Sequence, residues 1–107
     1  MAIIVDTSSL YALVDADDRY HEAVTQAVLN NQELLIVPIL ILPEISYLVN
    51  KFLGVEVEVQ ILTSIIKGEL RVEETKMADI SRAVELIEKY KEHKVGLVDA
   101  IVVATAE

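Results

Sequence analysis

Three acidic residues lie among apolar neighbours, each at a point where a strand ends or a helix begins. They are Asp6 in Ile-Ile-Val-Asp-Thr-Ser, Glu44 in Ile-Leu-Pro-Glu, and Asp99 in Gly-Leu-Val-Asp-Ala. An ionised carboxylate beside apolar surface is costly unless another group compensates its charge. Three such groups, spread over the whole chain, suggest one shared compensator, and a divalent cation is the simplest candidate.

Carboxylate oxygens in an apolar pocket suit Mg²⁺ or Mn²⁺, with water completing the coordination shell. Such an ion can generate hydroxide near neutral pH and stabilise a phosphoryl oxyanion. Each acid also has a simpler interpretation. Asp6 would cap the helix that follows it, and Glu44 and Asp99 would stabilise helix N-termini through the helix dipole. Both interpretations stay open for each residue alone, whereas the three together favour the metal site.

The composition indicates one domain with a substantial apolar core. The chain has 107 residues, of which 53% are hydrophobic, and we expect a single domain over residues 1–107. The absence of cysteine excludes a disulfide framework and a thiolate metal site, and is compatible with a cytoplasmic protein. The N-terminus lacks the basic region of a signal peptide, and the longest apolar run, residues 34–43, is too short to span a membrane.

The net charge of −9 argues against a nucleic-acid binder that relies on a basic face. It does not exclude nucleic-acid chemistry, because metal ions can neutralise an acidic site locally. The sequence contains no Gly-rich phosphate loop, no cysteine nucleophile and no Gly-x-Ser-x-Gly elbow. These absences leave the three acids as the main chemical signal.

Short apolar runs alternate with segments of helical periodicity, which predicts an α/β domain with a parallel sheet. Hydroxyls in Thr7-Ser8-Ser9 are expected to cap the first helix, and Asp79 a later one whose apolar face includes Ile80 and Val84. The predicted strands cover residues 3–6, 34–37 and 70–73, and the predicted helices cover residues 7–14, 19–29, 43–53, 55–67, 80–90 and 97–106. The segment 55–67 also begins with alternating valines, which leaves a strand as its alternative.

Ligands of open parallel sheets collect at the carboxyl ends of the strands. Asp6 follows the first predicted strand, Glu44 lies just inside the helix after the second, and Asp99 lies in the first turn of the last helix. We therefore expect the three to converge on one edge of the sheet. The remaining acids are expected on solvated surfaces, as are both histidines. These residues are Asp15, Asp17, Asp18, Glu56, Glu58, Glu85, Glu88, Glu92, His21 and His93.

Four segments, in this order, resemble the PIN-domain ribonucleases, and particularly the toxin halves of prokaryotic VapBC toxin–antitoxin pairs. The likeness runs through nearly the whole chain, and its first and last segments are the more specific. The segments are Ile-Val-Asp-Thr-Ser-Ser-Leu-Tyr-Ala-Leu (4–13), Asp-Asp-Arg-Tyr-His-Glu-Ala (17–23), Pro-Glu-Ile-Ser-Tyr-Leu (43–48) and Gly-Leu-Val-Asp-Ala-Ile-Val-Val-Ala-Thr-Ala-Glu (96–107).

The resemblance implies a PIN-like three-layer fold, with a central parallel sheet flanked by helices, and an acidic Mg²⁺ or Mn²⁺ site that hydrolyses RNA phosphodiester bonds. Asp6, Glu44 and Asp99 match the metal-binding, catalytic acids of the family, and Ser8 matches the small hydroxyl residue beside the first acid. The resemblance also implies a homodimer that a cognate antitoxin holds inactive, in the cytoplasm and without membrane association.

Family members normally continue past the Ala-Thr-Ala-Glu helix into another strand, where a Thr-x-Asp type motif supplies a fourth acid. The sequence stops at Glu107, so we expect this last strand and the fourth acid to be missing. The alternative hypothesis is therefore a catalytically inactive PIN-like module, or a truncated fragment, that binds an antitoxin or RNA without cleavage. A flavodoxin-like signalling domain that uses Asp6 as a phosphoacceptor is disfavoured, because Asp6 has no acidic neighbour.

Overall fold

The computed structural model describes residues 3–31 and 35–107, along which short strands alternate with helices. The strands are β1 (Ile3–Ile4), β2 (Leu35–Pro38) and β3 (Leu70–Glu73). The α-helices are α1 (Thr7–Val14), α2 (His21–Asn31), α3 (Leu42–Leu53), α4 (Val55–Ile66), α5 (Met77–Lys89) and α6 (Leu97–Ala106). Short 3₁₀ turns cover Ile39–Ile41 and Lys91–His93. No helix within the described ranges has both the length and the apolar character that a membrane crossing requires.

The sheet is parallel, with β2 between β1 and β3. Ile3 lies opposite Leu35 in the β1–β2 pair, and Ile36 lies opposite Arg71 in the β2–β3 pair. Each parallel connection requires a crossover, and helices supply the crossovers here. The predicted α/β domain, with a parallel sheet flanked by helices, is confirmed.

Two groups of buried side chains stabilise the domain. The main core joins the sheet to α1, α3 and α4, and its buried members are Val5, Leu10, Leu35, Val37, Ile41, Ile45, Val49 and Ile61. The second group joins α5 to α6 and consists of Ala83, Leu86, Ala100 and Ile101. Alanines on both helices of the second group permit close approach of the two backbones. Leu40, in the turn after β2, packs on this group and thereby connects it to the sheet.

Helix α4 resolves the ambiguity of the alternating valines. Val57 and Ile61 are four residues apart, and both pack against the main core, with Ile61 buried. This spacing places them on one face of a helix, so burial of that face outweighs the strand preference of the valines.

Two predicted boundaries near the N-terminus are wrong by a few residues. Strand β1 is shorter than the predicted 3–6, although the Val5 N–H still donates to the Ile36 carbonyl at 2.9 Å. Helix α2 starts at His21 instead of residue 19, because the carboxylate of Asp18 accepts from the Tyr20 N–H at 2.9 Å and holds a turn there. Leu34, the first residue of the predicted second strand, lies outside the described residues.

The start of α5 also differs from the prediction. The helix begins at Met77, so Asp79 is its third residue, and its carboxylate accepts from the Lys76 N–H at 2.9 Å. A carboxylate that reaches back in this way caps the amide before the helix, an arrangement that moves the helix start towards the N-terminus. The buried face is formed by Ala83 and Leu86, which pack on α6, while Ile80 and Val84 remain exposed.

Gly54 is the single residue between α3 and α4, and it generates a testable prediction. Its φ of 96° and ψ of 168° lie in a region that is essentially restricted to glycine. We expect Gly54→Ala to lower the free energy of unfolding by about 1–3 kcal/mol, measured by urea denaturation. Gly96→Ala is the matched control, because Gly96 has a φ of −82° and no atom lies within 4 Å of an added Cβ. Equal losses in the two variants would contradict the assignment of strain to Gly54.

Candidate active site

Asp6 lies just after β1 and is the N-cap of α1. Its Oδ1 accepts from the Ser9 N–H at 2.8 Å, which satisfies one of the amides at the start of the helix. The capping interpretation of Asp6 is therefore correct, but it uses only one carboxylate oxygen. Asp6 is exposed, so its second oxygen is available to a ligand in solvent.

The three hydroxyl residues after Asp6 do not cap the helix, contrary to the prediction. Thr7, Ser8 and Ser9 are instead the first three residues of α1 itself. The Ser8 side chain is exposed, whereas the Thr7 hydroxyl is buried without a hydrogen-bond partner among the described residues. The structure thus places Ser8 beside the first acid at the surface, where its hydroxyl is accessible.

Glu44 is the third residue of α3 and is exposed. Pro43 precedes it within the first turn, where a missing N–H costs little. No side chain caps α3, so the carboxylate of Glu44 lies at the positive end of the helix dipole with its charge uncompensated by a cation among the described residues.

Asp99 occupies the equivalent position in α6. It is the third residue of that helix, it is exposed, and the N-cap residue Gly96 provides no capping side chain. Its neighbours on either side are held by packing: Val98 packs against the main core, and Ala100 is buried in the second group. The backbone of Asp99 is therefore held between two apolar contacts while its carboxylate reaches solvent.

Helix α6 packs on the elements that precede the other two acids in the chain. Helix α6 contacts β1, β2 and the turn at Ile39–Ile41, which leads directly into α3. Leu40 of that turn packs against the group that contains Ala100. Helices α1 and α3, which carry Asp6 and Glu44, thus follow β1 and β2 in the chain, and α6, which carries Asp99, packs on the same two strands and on the turn before α3.

The carboxylates themselves do not form a coordination group in the orientations they adopt. Within residues 3–31 and 35–107, no three acidic or histidine side chains lie close enough together to hold a metal ion. What the structure supplies is one exposed carboxylate, a hard oxygen donor, at each of three positive helix ends. This arrangement can attract a divalent cation or a phosphate, the first through the carboxylates and the second through the helix N-termini.

Glu58 was expected on an exposed helix face, but it joins α4 to α3. The half-buried carboxylate accepts from the Ser46 hydroxyl and, at 2.9 Å, from the Asn50 amide. These hydrogen bonds hold the pKa of Glu58 below its usual range. The contact matters to the site because α3 carries Glu44, and the i,i+4 spacing of Ser46 and Asn50 is the signal from which it was predictable.

A second network surrounds the end of α1. A hydrogen bond from the Tyr11 hydroxyl to the Asp15 carboxylate raises the pKa of Tyr11 to about 12, and burial and the negative charges of Asp15 and Asp18 act in the same direction. His21 is half-buried, contrary to the expected surface position, and its Nδ1–H donates to the Ala12 carbonyl at 2.7 Å. Both side chains connect α1 to its surroundings.

The far end of α6 is held by an ion pair. Arg82 donates to both carboxylate oxygens of Glu107, at 2.8 and 3.0 Å, and to Glu85 at 2.9 Å. This bidentate contact lowers the pKa of the Glu107 carboxyl. It attaches the C-terminus of α6 to α5, while apolar packing holds the end that carries Asp99.

Three comparisons with known proteins agree with this architecture. The family described as the PIN domain matches residues 3–107. Ribonuclease VapC26 of Mycobacterium tuberculosis (strain ATCC 25618 / H37Rv) is 30% identical over 105 residues, which cover 98% of this chain and 78% of that protein. The crystal structure of Mycobacterium tuberculosis VapC20, a sarcin–ricin loop cleaving toxin, superposes with a TM-score of 0.82 at 22% identity, over 98% of this chain and 80% of that one.

The lowered pKa of Glu58 predicts a pH-dependent stability. The folded chain takes up this proton less readily than the unfolded chain, so Glu58 stabilises the fold above the usual glutamate pKa and loses this effect as the pH falls. We expect Glu58→Gln to be less stable than wild type at about pH 7, with the gap shrinking towards about pH 3 in urea unfolding. Glu56→Gln, on the same turn, is the control. Parallel pH profiles for wild type and Glu58→Gln would rule out this role.

Proposed function

The chain belongs to the PIN-domain family and is a VapC-like member of it, and on this premise we propose that it is a divalent-metal-dependent endoribonuclease. Its substrate would be RNA, and Asp6, Glu44 and Asp99 would be the metal-binding, catalytic residues. The observation that supports this most strongly is the position of each acid at the N-terminus of a helix, with α1 and α3 following β1 and β2 in the chain and α6 packed on both strands.

The donor set suits the proposed cation. Three exposed carboxylates provide only oxygen ligands, which Mg²⁺ and Mn²⁺ prefer over the softer metals. None of the three is paired with a lysine or arginine among the described residues. Because the carboxylates lie too far apart to coordinate as they stand, the proposal requires their side chains to turn towards a common ion.

When bound, a divalent ion would activate a water molecule and stabilise negative charge on a phosphoryl oxygen. The protein would hold the ion in position and would supply the negative charge of its carboxylates. Asp6 would keep one oxygen on the Ser9 amide and direct the other towards the ion, while Glu44 and Asp99 would complete the protein ligands. The N-termini of α3 and α6 would attract the phosphate of the substrate, because neither is capped by a side chain. Ser8 would donate to the Asp6 carboxylate or to a nearby water.

The proposal extends to partners and cellular location: a homodimer, held inactive by a cognate antitoxin, in the cytoplasm. Apolar side chains on α3 and α4 support a partner surface, since monomeric proteins rarely expose so many large apolar groups together. These exposed residues are Tyr47, Phe52, Val55, Val59, Leu62 and Ile66.

Metal binding predicts a change in thermal stability. Because the ion would bind the folded chain and not the unfolded one, saturating Mn²⁺ should raise Tm relative to EDTA, and mass action gives about 2.7 kcal/mol at a concentration of about 100 times Kd. Asp6→Asn should abolish the shift, since asparagine preserves the helix cap but removes the charge. Differential scanning calorimetry measures both.

Asp17→Asn is the matched control for this melting experiment. Asp17 is exposed in the turn before α2 and loses the same charge without touching the proposed site. Its Mn²⁺ shift should equal that of wild type. A shift retained in Asp6→Asn, or no shift in wild type, would count against the shared cation.

The proposed catalytic role of the three acids predicts how substitutions change the rate of RNA cleavage. Wild type with Mn²⁺ should cleave single-stranded RNA, and Glu44→Gln and Asp99→Asn should each slow cleavage by roughly 100-fold or more, because each removes a metal ligand while preserving size. Cleavage is followed on denaturing gels. Tight RNA or antitoxin binding without cleavage at any Mn²⁺ concentration would instead support the inactive binding module.

A further inference from the structure

A cluster of positive charge lies just before the helix that carries Asp99. We call residues 89–94 the basic turn; it contains Lys89, Lys91 and Lys94 against the single acid Glu92, in a chain whose net charge is −9. All six residues are exposed. No lysine of the basic turn is paired with a carboxylate among the described residues. The local charge is thus opposite in sign to that of the protein as a whole, and it is available to solvent.

The core places the basic turn beside the candidate site. Val95, the next residue, packs on the group that contains Ala100, together with Leu40 from the turn before α3. Ala100 follows Asp99, and Leu40 lies four residues before Glu44. The basic turn is therefore anchored, through Val95, beside α6 and the turn that leads into α3, two of the three helices whose N-termini carry acids.

Lys94 adopts a backbone conformation that its side chain does not favour. Its φ of 52° and ψ of 46° are left-handed, and no other non-glycine residue in the described ranges has a positive φ. Glycine or asparagine would adopt this conformation at lower cost. The backbone conformation therefore does not explain why residue 94 is a lysine. A functional role for the positive charge of Lys94 would explain it.

Two rings accompany the lysines. The Tyr90 and His93 rings have centroids 6.4 Å apart, and the ammonium group of Lys89 lies 5.3 Å from the centroid of the Tyr90 ring. Exposed rings among unpaired lysines are the combination that binds single-stranded nucleic acid, because bases stack on the rings while the lysines contact phosphates.

We propose that the basic turn binds the backbone of single-stranded RNA next to the acidic residues, with Lys94 as its principal phosphate contact. This inference rests on the proposed function and adds the element that positions the substrate. An acidic protein segment is a second possible ligand for lysines, but stacking rings and the adjoining acids favour a nucleic acid. Lys94 acts as a positioning residue, and the acids remain the reactive groups.

The test uses the full chain, EDTA to prevent cleavage, and a fluorescent single-stranded RNA of about 12 nucleotides. Lys94→Gly and Lys94→Asn remove the charge but suit the left-handed turn, so their Tm should be no lower than that of wild type. Both should bind RNA more weakly in fluorescence anisotropy. The slope of log Kd against log salt should fall by about 0.7, the value for one phosphate contact on a single strand.

Three controls distinguish this role from a general loss of charge. Lys94→Arg should bind like wild type, because it keeps the charge. Lys67→Ala, at the exposed end of α4, should also bind like wild type, although it loses the same charge. Polyglutamate should compete poorly with RNA. Unchanged affinity and slope in Lys94→Gly, an equal loss in Lys67→Ala, or effective competition by polyglutamate would each overturn the proposal.

Cleavage with Mn²⁺, measured separately, keeps the two proposals apart. RNA binding that depends on Lys94 in a chain that never cleaves would leave the basic turn supported and the nuclease proposal refuted. Cleavage by wild type together with unchanged binding and cleavage in Lys94→Gly would refute the basic turn and leave the nuclease proposal intact. A wild-type chain that does not bind the RNA at all would refute the role of the basic turn.

Discussion

The parallel pairing of β2 with both of its neighbours is the constraint on which the rest of the structure depends. Parallel strands run in one direction, so the chain must cross back over the sheet between strands and starts each return at the same edge. Helices α1 and α3 therefore both begin on the side of the sheet where β1 and β2 end, and they carry Asp6 and Glu44 at their N-termini. A central strand with three of its four side chains buried, Leu35, Val37 and Pro38, makes this register costly to change.

Helix α6, which carries Asp99, is positioned by a different physical route. Helix α6 does not follow a strand, and its position comes from close packing on α5 through alanines and from Leu40, which connects that pair to the sheet. The ion pair of Arg82 with Glu107 acts at the opposite end of the helix. One acid is therefore placed by side-chain packing, and two are placed by sheet topology.

Sequence patterns predicted most of the fold because its signals are local. A buried apolar run identified β2, a short strand was correctly expected at residues 70–73, and Gly54 and Gly96 marked helix boundaries that the structure reproduces. The predicted helix boundaries were less accurate where side chains compete for backbone amides. The carboxylates of Asp18 and Asp79 accept from nearby backbone amides, so that α2 starts at His21 instead of residue 19 and α5 at Met77 instead of residue 80. The buried face of α5 depends on a partner helix that no local pattern specifies.

The sequence indicated which three residues form the candidate site, but it did not determine the distances between their carboxylates. The sequence indicates that Asp6, Glu44 and Asp99 each follow a helix-start signal, and the structure finds all three at helix N-termini. The separation of the carboxylates depends on side-chain torsions in exposed residues, which periodicity does not determine. Membership of the PIN-domain family is shown for residues 3–107, whereas the role of the three acids in metal binding and catalysis stays a proposal.

The contact between α3 and α4 is made twice. A single glycine joins the two helices through the backbone, and the Glu58 carboxylate accepts hydrogen bonds from two residues of the preceding helix. The helix that carries Glu44 is therefore attached to α4 by a side-chain link as well as by the chain itself.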